Sequence, residues 1–335
     1  MNYKIVQIGV EYDYTEYECG IMAMVNSQFS YQLSLNRRLR GIRRFLFKLH
    51  TSSKTNKLFS LPFKSVWAKQ AFVNKINIKK EDTVCFVYQG GAFYFDIGVF
   101  RYLRKKFPKS IFIYKYNDLV ELNEKLYPNF LNRCKSIFDV VCTYNPLDSE
   151  KYNLLLVPPI IFSSQMFKND KSPDTDIFYV GRDKGRLEDI LKIYEQCKEH
   201  FLKCDFYIFG VEKKNQKFAE SIHYNHYLPY KDVLEKVKSS RCVLNIVQDN
   251  SNGLTMRDFE SISNGKLLLT NNHYIGGTQF FDPEKVFFSD SVIPFEKIRN
   301  YKDSEWNISG DFSEKAYFVW LDSLIKSIVN KRYEK

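Results

Sequence analysis

Short apolar runs alternate with longer amphipathic stretches throughout the first half of the chain. Buried strands are predicted at "KIVQIGV" (4–10), "DTVCFVYQGG" (82–91), "SIFIYKYND" (110–118) and "FDVVCTYN" (138–145), because each is a run of apolar residues bounded by polar or turn-forming ones. Between the second and third runs, "FDIGVFRYLRKKFP" (95–108) has the apolar spacing of a helix and ends at a proline. Strands that alternate with helices predict a parallel, doubly wound sheet.

The same alternation restarts after a polar stretch that contains Pro173, and we interpret this stretch as a linker. We therefore expect an α/β fold of two Rossmann-like domains whose parallel sheets face an inter-domain cleft. The predicted boundaries are 1–162 for the N-terminal domain, 163–175 for the linker, 176–312 for the C-terminal domain and 313–335 for a final helix that packs back on the N-terminal domain.

Composition limits the classes of protein that the chain can belong to. Its 335 residues are 44% hydrophobic and 16% aromatic, which is typical of a folded protein and sufficient for two cores. The net charge of +11 predicts an anionic partner or surface. Seven cysteines without a C-x-x-C spacing favour neither a disulfide framework nor a zinc site, and they fit a reducing cytosol. No run is long and apolar enough to predict a membrane span or a secretory leader. We therefore expect a cytoplasmic location.

Ligands of open α/β sheets bind at the carboxyl ends of the strands, beside helix N-termini, and two loops of the second half lie there. The first is "YVGRDKGR" (179–186), in which Gly181 ends a strand and Arg182, Lys184 and Arg186 fill the turn before a helix. Exposed amides together with three cations predict a site for a diphosphate-sized anion. The alternative is a basic turn whose side chains only face solvent.

The second loop is "NGLTMRDFESISNGKLLLTNN" (252–272). Thr255 can cap the helix, with Asp258 completing a partial capping box, and Arg257 shares a helical face with Glu260. One interpretation is a surface ion pair worth well under ~1 kcal/mol. The other gives Arg257 a phosphate and Glu260 a pair of sugar hydroxyls, because a carboxylate can accept two hydrogen bonds from a vicinal diol.

These motifs, over about residues 176–272, resemble the nucleotide-sugar half of bacterial GT-B fold glycosyltransferases of capsule, O-antigen and lipooligosaccharide assembly. The resemblance implies that the C-terminal domain binds a nucleotide-sugar donor as substrate and that the N-terminal domain binds a lipid-linked or growing surface glycan as acceptor. Cations and a helix N-terminus balance the diphosphate in that family, so no cofactor and no metal is expected. By matching positions, Arg182 and Lys184 would contact the phosphates, Arg257 the diphosphate or donor sugar, and Glu260 the ribose. The stretch from Tyr227 to Tyr230 would contact the base.

The chain departs from the retaining members of that family at one position. Many of them carry a second glutamate eight residues before the ribose-binding one, where this chain has Asn252. The departure favours inversion, which requires a general base to deprotonate the acceptor hydroxyl. The candidates follow strands of the N-terminal domain: Asp13 is preferred over Glu11 and Asp118, and for each the alternative is a loop or cap carboxylate. On the acceptor side, the paired Gly90 and Gly91 allow close approach of the backbone to a ligand.

A basic segment (35–50) has its leucines and Ile42 on one helical face, surrounded by arginines. This pattern is typical of an interfacial helix, and it predicts a peripheral position on the anionic inner face of the cytoplasmic membrane through Arg37, Arg38, Arg40, Arg43 and Arg44. The alternative is an ordinary helix that packs its leucines on the sheet. No nucleic-acid motif appears, so nucleic acid is not an expected partner. The alternative functions are a nucleotide-sugar epimerase of the same fold and a non-catalytic basic protein that binds membranes or nucleic acid.

Overall fold

A computed structural model describes residues 3–52, 61, 64–67, 78–79, 82–89, 98–162, 173–248, 251 and 253–333. Contacts within the chain divide it into two compact units. The first unit is Met1–Pro159 with Lys315–Lys335, and the second unit is Ile160–Glu314. Of the predicted linker, the part at 163–172 lies outside the described residues.

The first unit is built on a parallel sheet with the strand order β2-β1-β3-β4-β5-β6. Its strands are β1 (Tyr3–Val10), β2 (Phe29–Leu33), β3 (Thr83–Gln89), β4 (Ile111–Lys115), β5 (Val140–Thr143) and β6 (Leu155–Leu156). The central strands are apolar without interruption, and the side chains from Val84 to Tyr88 are all buried. Continuous burial is what a parallel strand requires when both faces of the sheet are covered.

Helices of the first unit precede, connect and follow these strands. They are α1 (Asp13–Val25), α2 (Leu35–Arg38), α3 (Gly41–Thr51), α4 (Gly98–Lys106), α5 (Val120–Leu126), α6 (Phe130–Ile137) and α7 (Pro146–Tyr152), with a short 3-10 turn at Lys64–Trp67. The C-terminal helix α12 (Glu314–Tyr333) also packs on this unit. The Tyr3 hydroxyl donates to Asp322, and Arg332 forms an ion pair with Asp139 at 2.7 Å.

The second unit is also built on a parallel sheet, with the strand order β12-β11-β10-β7-β8-β9. Its strands are β7 (Thr175–Arg182), β8 (Cys204–Phe209), β9 (His223–Tyr224), β10 (Ser240–Asn245), β11 (Leu267–Thr270) and β12 (Val286–Phe288). Its helices are α8 (Leu187–Glu199), α9 (Tyr230–Lys238), α10 (Met256–Ser263) and α11 (Phe295–Asn300), with 3-10 turns at Lys213–Asn215 and His273–Gly277.

The predicted α/β fold with two parallel sheets is confirmed, since each unit has a parallel six-stranded sheet with helices between the strands. All seven cysteines are free, and six of them are buried. Among the described helices, none combines the length and the apolar character needed to cross a bilayer.

Candidate functional site

The carboxyl edge of the second sheet brings the two predicted loops together. Strands β7 and β10 are hydrogen-bonded neighbours, so Gly181 and Arg182 at the end of β7 lie beside Asn245 at the end of β10. Ten residues separate the end of β10 from the start of α10, which packs on that strand. Because parallel strands run in the same direction, the loops that follow β7 and β10 lie at the same edge of the sheet.

The N-terminus of α10 is held by a complete capping box. The Thr255 hydroxyl accepts from the Arg257 amide at 3.2 Å, and the Asp258 carboxylate accepts from the Thr255 amide at 2.6 Å. Asn245, which the sequence analysis did not single out, donates to Thr255 Oγ1 at 3.0 Å and to Asp258 Oδ1 at 2.7 Å. Burial raises the pKa of Asp258 to about 6 although these hydrogen bonds oppose the shift. The predicted capping box is confirmed, and it fixes the direction of the helix that carries Arg257 and Glu260.

Arg257 and Glu260, in the first turns of α10, form a cluster with Tyr230, the first residue of α9. The Arg257 guanidinium contacts the Glu260 carboxylate, and their side chains are 19% and 5% exposed. The Tyr230 hydroxyl donates to Glu260 Oε1 at 3.0 Å. Burial lowers the pKa of the Arg257 guanidinium, which nevertheless keeps its charge because arginine titrates so far above neutral pH. The pair is therefore not the solvent-exposed surface pair that was one interpretation of the sequence.

The hydroxyl of Tyr179 points to the same edge. Tyr179 is buried in β7, and its hydroxyl has no hydrogen-bond partner among the residues that the structure describes. Burial raises its pKa, and the nearby guanidinium groups of Arg186 and Arg257 oppose that shift. A Cβ atom on Gly181 would lie 2.6 Å from this hydroxyl oxygen, so Gly181 makes room for the Tyr179 side chain. No direct sequence signal predicts this role of Gly181, because it depends on a side chain two positions earlier in the strand.

The basic turn is organised differently from the prediction. The Asp183 carboxylate accepts from the amides of Gly185 and Arg186, both at 3.1 Å, and of Leu187 at 3.0 Å. The expectation that these amides are exposed for an anion is therefore wrong, because Asp183 already fills that position at the start of α8. An aspartate at the start of a glycine-containing turn, four residues before the helix, is the signal that could have revealed these hydrogen bonds.

The three cations of the turn have separate positions. Arg186 donates Nε to the Asp183 carbonyl at 3.0 Å and directs its terminal nitrogens to the carbonyls of Arg182 and Ile246, so it binds the ends of β7 and β10 together. Arg182 and Lys184 are exposed, and Lys184 has a φ of 45°. Tyr227 is likewise exposed, three residues before the partly buried Tyr230. Contacts of Arg182, Lys184, Arg186 and Tyr227 with a donor stay predictions.

The candidate bases lie at the carboxyl edge of the first sheet. Glu11 follows β1 and accepts from Asn36 at 2.6 Å, Asp13 begins α1 and accepts from the Tyr14 amide at 3.0 Å, and Asp118 follows β4. Asp118 lies near α1, since its charge adds to the burial that raises the pKa of the Tyr14 hydroxyl. Gly90, Gly91 and Asn252 lie outside the described residues.

A further carboxyl group near this edge escaped the sequence analysis. Burial raises the pKa of Glu18 to about 7, and the charge of Lys115, at the end of β4, opposes the shift. A carboxyl group that titrates near neutral pH is a frequent feature of acid–base sites. No sequence signal distinguishes it from the other acidic residues of α1, because its shift comes from burial.

Within the described part of the chain, no group of three or more histidine, cysteine, aspartate or glutamate side chains could hold a metal ion. Asp176, the last residue of the acidic sequence "DTD" (174–176), pairs with Arg241 at 2.9 Å and accepts from the Lys203 amide at 2.7 Å. It therefore has a structural role at the amino edge of the sheet.

The basic segment is two helices, not the single helical face that the sequence suggested. Leu39 and Arg40 separate α2 from α3, and Gly41, the first residue of α3, turns the chain with a φ of 53°. Leu35 is buried and Leu39 packs on the core. Arg37 pairs with Glu16 at 2.6 Å and Arg38 donates to the Leu33 carbonyl at 2.9 Å. Only α3 therefore retains the pattern of an interfacial helix.

Comparisons with known proteins extend this description. Residues 188–307 match a family model described as glycosyl transferase-like. The whole chain is similar in structure to an α,α-trehalose-phosphate synthase (UDP-forming) from Burkholderia vietnamiensis, with 8% identity, a TM-score of 0.54, and 98% of this chain and 99% of that one covered. It is also similar to an α-glucosyltransferase in complex with UDP and a 13-mer DNA containing a central A:G mismatch, with 12% identity, a TM-score of 0.52 and coverages of 97% and 90%.

A third similar structure is a UDP-GlcNAc 2-epimerase from Neisseria meningitidis bound to UDP-GlcNAc, with 12% identity, a TM-score of 0.50 and coverages of 96% and 100%. No curated protein sequence matches the chain significantly. At these identities the structures show the fold alone, and that fold is GT-B. The family match, which spans α8 to α11, adds the enzyme class, and together they support a glycosyltransferase, as the sequence predicted.

Proposed function

We propose that this glycosyltransferase moves a sugar from a nucleotide-sugar donor to a lipid-linked or growing surface glycan, without a metal and with inversion at the anomeric carbon. The observation that carries the donor half of this proposal is the cluster of Arg257, Glu260 and Tyr230 at the carboxyl edge of the second sheet. It unites a partly buried cation, a buried carboxylate and a hydroxyl at the edge where α/β sheets bind their ligands.

Arg257 is suited to the leaving diphosphate. Its guanidinium offers a planar set of donors that matches phosphate oxygens, and partial burial strengthens each interaction compared with water. The negative charge that develops on the leaving group during transfer would be balanced at this point, which is how electrostatic stabilisation lowers a barrier. Arg182 and Lys184, exposed in the neighbouring turn, would add to the positive field around the phosphates.

Glu260 is suited to the ribose. The Tyr230 hydroxyl and the Arg257 guanidinium hold its carboxylate in place, and a fixed carboxylate can accept from both hydroxyls of a vicinal diol. Tyr230 and the exposed Tyr227 would contact the base. Specificity for ribose would follow because a donor that lacks a hydroxyl leaves a buried acceptor unpaired.

Inversion requires a base that removes the proton of the acceptor hydroxyl. We assign this role to a carboxylate at the carboxyl edge of the first sheet, with Asp13 as the first candidate and Glu11 and Asp118 as the others. A lipid-linked acceptor would place the enzyme at the inner face of the cytoplasmic membrane, which agrees with its net charge of +11.

An epimerase is the second candidate function, and its support is the similarity over nearly the full chain to a UDP-GlcNAc 2-epimerase. The two functions differ in what they need. An epimerase converts its donor alone, whereas a transferase releases sugar to an acceptor. Product analysis after incubation with the donor alone therefore separates them.

The first experiment is a thermal-shift screen with UDP, GDP, CMP, dTDP and their sugars, because a ligand that binds only the folded state raises the melting temperature. Calorimetry with the best ligand then compares Glu260→Gln with Glu296→Gln, which alters the solvent-exposed Arg299–Glu296 pair of the same three-residue spacing. We expect only Glu260→Gln to weaken binding, and turnover to persist in EDTA. No binding of any nucleotide, or equal binding by both variants, would refute the donor site.

A further inference from the structure

Helix α3 presents an apolar face to solvent. Ile42, Phe45, Leu46 and Leu49 are 69%, 61%, 48% and 48% exposed. Their spacing of three, one and three residues puts them on one side of an α-helix, within an arc of about 100° at 100° per residue. Large apolar side chains exposed singly are common, but four that adjoin on one helix form a patch.

The opposite side of α3 explains how the helix is held. Phe47 is buried and packs edge-to-face on Trp67, with ring centroids 5.2 Å apart, and the Trp67 indole donates to His50 at 3.0 Å. These contacts attach α3 to the core of the first unit, so the exposed apolar face is not a by-product of a detached segment. It is the outer surface of a docked helix.

Cationic side chains border the apolar face on both flanks. At 100° per residue, Arg43 lies about 60° beyond Leu46 on one flank and Lys48 about 60° beyond Phe45 on the other. Both are exposed, as is Arg40 at the N-terminal end. Helix α3 itself contains no acidic residue. An apolar strip with cations on each side matches the two layers of an anionic leaflet, acyl chains below and phosphates above.

We propose that α3 is a membrane-docking helix that inserts Ile42, Phe45, Leu46 and Leu49 among the acyl chains of an anionic bilayer while Arg40, Arg43 and Lys48 contact lipid phosphates. This proposal deepens the membrane location in the proposed function by naming the docking element, and lipid binding itself needs no sugar donor. It also excludes Arg37 and Arg38 from the lipid contact, since both already bind partners within the first unit.

The test is sedimentation of the full chain with vesicles of equimolar phosphatidylglycerol and phosphatidylcholine, and with vesicles of phosphatidylcholine alone. We expect binding to the anionic vesicles. The double variant Phe45→Ser/Leu46→Ser should weaken it at least about tenfold, because each large apolar side chain loses its burial in lipid. Arg43→Glu should weaken it about fivefold or more, and added salt should reduce this charge effect.

Matched controls are Val292→Ser, which removes an apolar side chain that is 93% exposed in the second unit, and Lys213→Glu, which reverses an exposed charge there. Neither should change vesicle binding. Because the α3 side chains are exposed, their variants should keep the melting temperature and the nucleotide affinity of the parent protein. Failure of lipid binding is thereby distinguished from failure of the donor site.

A Phe45→Trp variant gives a direct measure of insertion, since its fluorescence should shift to shorter wavelength when the indole enters the acyl region of anionic vesicles. Equal binding of the parent and the Phe45→Ser/Leu46→Ser variant would overturn the proposal, as would binding without preference for anionic lipid. A third outcome would also overturn it: no vesicle binding, together with a dimer in sedimentation analysis that the serine variant abolishes, would make the face an interface between two copies of this chain.

Discussion

Removing one partner of the Arg257–Glu260 pair should cost more stability than removing both. Glu260 is 5% exposed, so Arg257→Met leaves a carboxylate buried without its cation, and such a loss typically costs about 3–5 kcal/mol. Because 19% of the Arg257 side chain reaches solvent, we expect the lower end, about 3 kcal/mol. The double variant Arg257→Met/Glu260→Gln buries no charge and keeps a side-chain oxygen for the Tyr230 hydroxyl, so it should recover to within about 1 kcal/mol of the parent protein.

The assay is a double-mutant cycle with two readouts, the free energy of unfolding in urea and the donor affinity by calorimetry. Stability should separate the single variants from the double variant. Donor affinity should not separate them, because each single variant and the double variant lack a group that binds the donor. All three should bind the donor about 10- to 100-fold more weakly than the parent protein. The solvent-exposed Arg299–Glu296 pair provides the control cycle, for which we expect a coupling below about 1 kcal/mol and no change in donor affinity.

Two results would refute this reasoning, and each addresses a different step. If Arg257→Met is as stable as the parent protein, the pair is not buried in the way that the structure describes. If the double variant binds donor with the parent's affinity, the cluster does not hold the donor, whatever it contributes to stability.

Three further predictions concern neighbouring features. Burial raises the pKa of Glu18 to about 7, so the folded state retains a proton that the unfolded chain releases near the ordinary pKa of 4.5. The free energy of unfolding should therefore fall by up to about 3 kcal/mol as pH rises between these values. Urea titrations should show that Glu18→Gln removes this fall while Glu16→Gln keeps it. Gly181→Ala should destabilise the protein by about 1–3 kcal/mol, because its Cβ atom would clash with the Tyr179 hydroxyl. Adding Tyr179→Phe should restore part of the loss, and Gly277→Ala, where a Cβ atom meets open space, is the control. Additive effects of Gly181→Ala and Tyr179→Phe would contradict this explanation. Asp183→Ala should cost about 1–2 kcal/mol, because the amides of Gly185, Arg186 and Leu187 lose their side-chain acceptor. Asp189→Ala, which removes an exposed acid from the first turn of α8, should cost less, and equal losses in urea would contradict this role of Asp183.

The fold could be predicted because its signals are local. Strand β3 reads as buried from its apolar run alone, and the capping box of Thr255 and Asp258 is fixed by a spacing of three residues. Parallel strands then bring both predicted loops to one edge without further information. Where the relevant contact spans only a few residues of the chain, composition and spacing were sufficient.

The parts that could not be predicted depend on which way side chains face after packing. The sequence "GRDKGR" contains three cations and one acid, and charge alone favours an anion site. In the folded turn, Asp183 accepts from the amides of Gly185, Arg186 and Leu187, and Arg186 joins two strands. In the basic segment, the positive φ of Gly41 divides one apparent helix into two, so that Leu35 and Leu39 turn to the core while the apolar side chains of α3 turn outward.

Among the described residues of the second unit, two arginine–carboxylate pairs are partly buried, and the contrast between them favours a ligand at one. At the amino edge of the sheet, Asp176 binds Arg241 and also accepts from the Lys203 amide, so the chain itself satisfies both of its oxygens. At the carboxyl edge, Arg257 and Tyr230 likewise give Glu260 partners within the chain, but Arg257 also lies near the buried Tyr179 hydroxyl, which has no hydrogen-bond partner within the described residues. Buried ion pairs rarely repay the cost of their desolvation, and a buried hydroxyl without a partner adds to that cost. Stability therefore does not explain the carboxyl-edge cluster, whereas a bound diphosphate and ribose would satisfy its groups.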